Sequence, residues 1–345
     1  MNKPPIAVVD FFSGCGGTSV GLRNSGMKIV AGIDNDADSA ATFRLNFPEA
    51  DFFESDVKEL SSSSIEKVMP TKGFVLFAGC APCQPFSKQK KISAKEDPRR
   101  DLLLVFLKFI VELQPHFVLV ENVPGLQKLD PTSGPFQTFV DTLIEEGYEV
   151  DFGVIRAADY GVPQIRRRLV LVASRISKVR LPDPTHGSGL IAYSTVAEWI
   201  KELPNISAGQ VDLADPDHAS MKLSERNIER IQATPEGGSR LNWPQSLQLE
   251  CHASYKGHTD VYGRLSWDKP ASGLTTKCIS YSNGRFGHPD QDRALSVREA
   301  ALLQTFPPSF KLVGTLTSKA RQVGNAVPPL VARRVGEAIA DSLRV

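Results

Sequence analysis

The chain has 345 residues, enough to bury a large core and to build two domains or one domain with an insertion. Forty basic residues against thirty-nine acidic ones leave a net charge of +1, which excludes the global basic field of a non-specific nucleic-acid binder, so any nucleic-acid contact has to be local. Five cysteines, at 15, 80, 83, 251 and 278, are odd in number and scattered, which argues against a secreted disulfide framework and for a reducing compartment. Asp10 interrupts the apolar N-terminal stretch before it could serve as a signal-peptide core. The longest apolar run, Leu102 to Leu113, carries Lys108 and Glu112 and is too short to span a bilayer, so no membrane association and a cytoplasmic location are expected.

Short runs rich in Val, Ile and Phe open the chain: IAVVDFF from 6, KIVAGID from 28, DFFESDV from 51, FVLFAGC from 74 and FVLVENV from 117. Helix-like spacers separate them, and this alternation predicts an α/β fold with a parallel sheet and crossover helices. The spacing predicts helices over Asp36 to Asn46, Asp101 to Leu113 and Phe136 to Glu146, closed by Pro48, Pro115 and Gly147. YEVDFGVIRA and RRLVLVASR follow as two further strands. From about Ile176 glycine, proline, histidine and serine become frequent and no useful helical period stands out before Ser296, so 176–292 reads as a smaller irregular lobe. SVREAALLQTF and PPLVARRVGEAIADSL are helical again, the latter opening on proline with Val331, Val335, Ile339 and Leu343 on one face. The expected domains are thus 1–175, 176–292, and a segment 293–345 returning to the first.

In an open parallel sheet, ligands bind beyond the carboxyl ends of the strands, and the chemically distinctive residues fall there. The first strand runs into SGCGGTSVG, where Gly14, Gly16, Gly17 and Gly21 allow a tight turn and close backbone approach at a helix N-terminus. Ser19 stands where the third glycine of the dinucleotide fingerprint would be, which weighs against a nicotinamide or flavin cofactor. Asp34, ending the second strand, is placed to accept bonds from ribose hydroxyls, and Asp56 after the third is placed to meet an adenine; either is equally readable as a turn or cap residue. Glu121 and Asn122 end the fifth strand, next to the GCAPCQPFSKQ segment that follows the fourth.

CAPC has the outline of a dithiol oxidoreductase motif, but a thioredoxin-like unit needs neither the glycine loop nor Glu121. No second Cys or His pair completes a zinc site, and no metal is expected. Cys80, ending an apolar strand, reads as packing, and Cys15 reads likewise. Cys83 stands in a polar, proline-flanked loop with lysines and arginines nearby, a setting that favours thiolate, and a neighbouring strand tip brings a carboxyl toward it.

These stretches resemble the cytosine-C5 DNA methyltransferases over most of 6–175 and 293–345. DFFSGCGGTSVGL, GCAPCQPFS, ENVPGL, DYGVPQIRRRLVLVA and QVGNAVPP are similar to five of the family's motifs, in the family's order. The resemblance implies a Rossmann-like S-adenosylmethionine-dependent methyltransferase sheet, S-adenosylmethionine as donor, and Cys83 as nucleophile with Gln84, Glu121, Asn122, Arg166 and Arg168 around it. It implies that Phe12, Ser13, Gly14, Gly16, Gly17, Asp34, Asn35, Asp56, Val57 and Pro82, with Asn325, Ala326 and Val327, line the cofactor site. A thiolate adding at cytosine C6 makes C5 nucleophilic, and a buried, protonated Glu121 would relieve charge at N3.

The target base has to leave the duplex stack. KQKKISAKEDPRR, 88–100, is placed to close over phosphates, with Ser87, Lys88, Gln89, Lys91, Arg99 and Arg100 as DNA contacts and Gln89 a candidate for the vacated gap. The irregular lobe would be the target-recognition domain, with Arg264, Thr275 and Thr276 in its reading segment. Double-stranded DNA is the expected partner of a monomer that works alone or beside a separately encoded restriction endonuclease. An RNA-directed enzyme would share these motifs, and a non-catalytic DNA-binding relative would be expected to have lost Cys83 or Glu121.

Overall fold

The computed structural model describes residues 5–81, 102–125, 134–250 and 260–344. Its strands are β1 (Ile6–Phe11), β2 (Lys28–Asp34), β3 (Asp51–Glu54), β4 (Phe74–Gly79), β5 (Phe117–Asn122), β6 (Glu149–Arg156), β7 (Gln164–Ile165), β8 (Arg167–Ser174) and β9 (Ala271–Ser272). Seven of them form one sheet in the order β3-β2-β1-β4-β5-β8-β6. The first five are parallel, and β8 runs antiparallel between β5 and β6. Strand order reverses between β1 and β4, which makes the carboxyl ends of those two strands the switch point of the sheet.

The chain divides into two compact units, one of residues 1–156, 167–184 and 327–345, the other of 157–166 and 185–326. Residues 157–166 and 293–326, which the linear reading kept with the sheet, thus fall in the second unit by contact.

In the first unit, β1 is buried along its whole length, as a central parallel strand must be. Helices α1 (Gly17–Asn24), α2 (Ala37–Asn46), α3 (Ser62–Glu66), α4 (Leu102–Leu113) and α5 (Pro135–Glu145) follow the strands they connect. Asp36 caps α2 by accepting from the Ser39 amide at 2.9 Å, and Pro135 opens α5, where its missing N–H costs nothing. On one face of the sheet Val9, Phe11, Phe77 and Val118 pack with Phe106, Phe109 and Ile110 of α4 and Phe139 of α5. The rings of Phe11, Phe77, Phe106 and Phe109 meet at centroid distances of 4.9 to 5.3 Å. Each buried aromatic of this kind contributes on the order of 2 kcal/mol through area removed from water.

The second unit contains α6 (Val196–Ile200), α7 (Glu225–Gln232), α8 (Val297–Leu303) and α9 (Leu316–Asn325); α10 (Pro329–Asp341) returns to the first. Within the first unit α10 lies against α1: a Cβ on Gly21 would come within 2.2 Å of the Pro329 carbonyl, so only glycine allows the two backbones this close. α10 buries Val331, Val335 and Ile339 as the sequence period predicts. Neither α7 nor α9 was expected from the sequence. α9 turns Ser318, Ala320, Gln322, Val323 and Gly324 inward, a face too small and polar to register as an apolar stripe.

Irregular backbone leaves carbonyls without ladder partners, and in the second unit buried arginines supply the donors. Arg298 is 2 % exposed, pairs with Asp215 at 2.5 Å and Asp217 at 3.3 Å, and donates to the Phe310 carbonyl. Arg293 is wholly buried and holds both Glu299 oxygens at 2.7 Å, while Glu299 also accepts from the Ser296 amide in a capping box that starts α8. Burial pushes the Glu299 carboxyl up, but the hydrogen bonds and charge of Arg293 outweigh it and hold the group below its usual range. Arg293→Leu strands a buried carboxylate, and a loss of about 3–5 kcal/mol is expected in urea denaturation. A loss below about 1 kcal/mol would contradict this account of the pair.

Candidate active site

Within the first unit the ends of β1, β2, β4 and β5 converge through backbone bonds. The Cys80 amide donates to the Phe11 carbonyl at 3.3 Å, and the Ser13 amide to the Ile33 carbonyl at 3.0 Å. Phe12 sits between those bonds at φ 56°, a left-handed conformation that costs a non-glycine residue roughly 1 kcal/mol or more and that such crossing points impose. Gly16, at φ 95°, caps α1, and a Cβ there would strike the Phe47 ring at 2.6 Å. Gly14 faces open space instead. Asp34 holds this loop: one carboxylate oxygen accepts from the Gly14 amide at 2.8 Å and the other from the Asp36 amide at 3.0 Å. Burial raises the Asp34 pKa, against the opposing backbone hydrogen bonds. Asn35 is exposed beside it.

Beneath the loop lies a carboxyl that sequence reasoning missed. Asp10 is fully buried on β1 and accepts from the Ser19 hydroxyl at 2.6 Å, while its other oxygen has no partner among the described residues. Burial pushes it up to about 7, the Ser19 hydrogen bond opposing and the Asp34 charge adding. A polar residue in the middle of an otherwise apolar central strand was the available signal.

At the tip of β5, Asn122 is buried and donates from Nδ2 to the Ala81 carbonyl at 3.1 Å, while its Oδ1 accepts from the Val123 amide at 2.7 Å. It fixes the backbone that leads to Pro82 and Cys83. Glu121 lies 2.8 Å from Nε of Arg168, whose Nη1 also donates to the Arg167 carbonyl. Glu121 and Arg168, which the resemblance placed around the same nucleophile, meet because β8 runs antiparallel to β5, pairs Asn122 with Leu169, and so delivers a guanidinium to the carboxyl.

Cys80 approaches the Thr18 hydroxyl at 3.4 Å, and burial, then the charges of Glu121 and Asp10, raise its pKa well above the ordinary thiol range. Those are the surroundings of an inert thiol, as for Cys15, pushed up to about 12 by burial.

Several expected site residues make structural contacts of their own. Asp56 caps a short 3-10 helix by accepting from the Lys58 amide at 3.0 Å, with Val57 buried behind it. Arg166, expected beside the substrate, is 5 % exposed and donates from Nη1 to the carbonyls of Leu274 at 2.7 Å and Gly324 at 3.1 Å, and from Nη2 to Gly324. Its guanidinium orders backbone of the second unit. Arg264, expected at DNA, is 4 % exposed and donates to the carbonyls of Ile231, Thr234, His288 and Gln291 and to Asp292. A lobe this irregular needs interior donors, and arginine supplies five. Thr275 is exposed and Thr276 half-buried in the second unit; Asn325 and Ala326 also belong to it, at the end of α9, and Val327 belongs to the first. Pro82, Cys83, Gln84, Ser87, Lys88, Gln89, Lys91, Arg99 and Arg100 lie outside the described residues.

A family model described as C-5 cytosine-specific DNA methylase matches residues 6–341. The chain belongs to the C-5 cytosine-specific DNA methylases. It is 39 % identical to the Type II methylase M.HgiDII of Herpetosiphon aurantiacus, covering 96 % of this chain and 94 % of that one. It is 32 % identical to the Type II methyltransferase M1.HphI of Haemophilus parahaemolyticus, over 97 % and 86 %. Among solved structures, a putative DNA modification methyltransferase encoded within an E. coli prophage aligns with TM-score 0.78 at 24 % identity, over 99 % and 100 % of the two chains. A mutant form of Spodoptera frugiperda DNMT2 aligns with TM-score 0.66 at 18 % identity, over 98 % and 99 %. The sheet is therefore the one this methylase family uses, and the chain is a DNA cytosine-C5 methyltransferase.

Asp10 gives this methylase a specific pH response. An unfolded Asp titrates near 3.8, so between there and about 7 the folded chain keeps a proton that the unfolded chain has lost. Stability consequently falls as pH rises through that window and levels off above it. Asp10→Asn keeps an oxygen for the Ser19 hydroxyl and removes the titration, so its stability relative to wild type should be greater at pH 8 than at pH 5 by roughly 2–4 kcal/mol in urea denaturation. Parallel pH profiles for the two proteins would contradict the assignment.

Proposed function

We propose that the chain is the modification enzyme of a Type II restriction-modification pair, methylating C5 of a cytosine in one short duplex DNA sequence, with S-adenosylmethionine as donor and Cys83 as nucleophile. The observation that carries this reading is the Asn122 tether to the Ala81 carbonyl beside the Glu121–Arg168 pair, since it brings the approach to Cys83 against a carboxyl and a guanidinium. The relatives' names supply the system: both M.HgiDII and M1.HphI are Type II enzymes. A cognate endonuclease would be a separate chain, and the methylase needs no second copy of itself. No described helix is long and apolar enough to cross a membrane, in keeping with action on DNA in the cytoplasm.

The residues present suit the donor. Gly14 leaves open space at the switch point, Asp34 offers remaining lone pairs to ribose hydroxyls, and Phe12 is held out of extended geometry beside them. Ser13, Gly16 and Gly17 shape the same loop, and Asn35, Asp56, Val57 and Pro82 are assigned to the donor on the family motifs. Asn325, Ala326 and Val327 are assigned on the family motif. When bound, the donor supplies an electrophilic sulfonium methyl.

The Cys83 thiolate adds to C6 of the extruded cytosine, forming the C6–S bond and pushing the ring electrons toward C5. Arg168 steadies the Glu121 carboxyl, and the pair meets the N3 and O2 edge where charge develops. C5 takes the methyl, the C5 proton then leaves to a base such as bound water, and the electron pair from that C–H bond expels the thiolate. Gln84 belongs to the nucleophile loop, and Ser87, Lys88, Gln89, Lys91, Arg99 and Arg100 close over DNA phosphates, with Gln89 filling the gap. Thr275 and Thr276 read the target from the second unit.

A random duplex pool carrying 5-fluorocytosine tests the nucleophile, because fluorine cannot leave as a cation and the adduct persists. The covalent peptide should map to Cys83. Cys83→Ser should lose transfer by at least about 10⁴-fold, whereas Cys80→Ser should stay within about tenfold of wild type. An adduct on another residue, or equal losses for both cysteines, would overturn the assignment.

A further inference from the structure

Two buried glutamines in the second unit join its threonine-bearing segment to the end of α9. Gln164 is fully buried on β7: its Oε1 accepts from the Leu274 amide at 2.9 Å, and its Nε2 donates to Oε1 of Gln304 at 2.5 Å. Gln304, also fully buried and following α8, donates from Nε2 to the carbonyls of Val323 at 3.0 Å and Ala326 at 2.6 Å. Arg166 runs alongside, holding the Leu274 carbonyl at 2.7 Å and the Gly324 carbonyl at 3.1 Å. Leu274 is therefore gripped at both its N–H and its C=O. Immediately after it, Thr275 is exposed, and its backbone lies so close to α9 that a Cβ on Gly324 would come within 2.1 Å of the Thr275 carbonyl.

A chain of neutral amides with every described bond made contributes little net stability, since each bond replaces one to water. It does contribute geometry: a satisfied buried network admits one arrangement, and a half-satisfied one is costly. Only an amide fits position 304, because the group must accept from one neighbour and donate to two carbonyls. A carboxylate would face those carbonyls without a donor, and a thioether of similar volume would make none of the bonds.

We propose that Gln304 is a positioning residue for target selection, acting through Gln164 on the Leu274 amide to set the conformation in which Thr275 and Thr276 meet DNA. This rests on the reading above that those two threonines face the target. Loosening the segment should blur discrimination between the preferred sequence and its single-base neighbours, because each base contact discriminates only as well as it is placed.

The test is methylation of a random-sequence duplex library with S-adenosylmethionine, read by bisulfite sequencing, for wild type, Gln304→Met, Thr275→Ala and the double variant, with thermal unfolding measured on each. Gln304→Met is expected to fold, to lower the ratio of preferred to single-mismatch methylation by about tenfold, and to add nothing further when combined with Thr275→Ala. Should Gln304→Met not accumulate as folded protein, Gln164→Met carries the same expectation. A folded variant with lowered Tm and an unchanged ratio would overturn the proposal and leave Gln304 with stability alone. A wild-type protein that protects no cytosine context would instead overturn the functional reading on which the proposal stands.

Discussion

The pairing of β1 with β4 is the constraint on which the first unit depends. The two strands run parallel and in register from Ile6 against Phe74 to Phe11 against Gly79, so both chains emerge at the same edge of the sheet and then part. Because β2 flanks β1 on one side and β5 flanks β4 on the other, the glycine loop and the segment leading to Cys83 begin one strand spacing apart. The bond from the Cys80 amide to the Phe11 carbonyl continues the ladder one step past the strands and turns Phe12 into its left-handed conformation. A register slip of one residue would turn Asp10 out of its contact with Ser19 and carry the loop away with it.

The two units manage buried charge in opposite ways. The first gathers carboxyls under its strand tips, Asp10, Asp34 and Glu121, with Arg168 the cation paired to one of them. Such crowding is unfavourable for folding alone, and buried acids with raised pKa, as at Asp10 and Asp34, are a mark of reaction sites. The second unit spends arginines on carbonyls and paired carboxylates, through Arg264, Arg293 and Arg298, and thereby gives an irregular lobe the rigidity that regular ladders give elsewhere. A net charge of +1 conceals both arrangements.

The strands and their tips were legible because a buried parallel strand writes itself as a continuous apolar run ended by its first polar residue, as at Asp34 and Glu121. The proline opening of the last helix, at Pro329, was legible for an equally local reason. What failed was non-local. Arg168 was grouped with Glu121 only through the family motifs, since no local pattern near FVLVENV announces the guanidinium that β8 supplies. Arg264 carries the same letter whether it reaches for a phosphate or for four carbonyls, and only the interior it folds into decides. α9 was hidden because its inward face is built from small and polar residues, and Gln304 because a lone glutamine in ALLQTF looks like a solvent position although it is fully buried.

The central claim, transfer to C5 of cytosine in DNA, is tested most directly by nucleoside mass spectrometry after incubating the protein with labelled S-adenosylmethionine and a mixture of duplex DNA and RNA. The account predicts label in 5-methyl-2′-deoxycytidine. Label in RNA cytidine, or on an exocyclic amine of any DNA base, would contradict it.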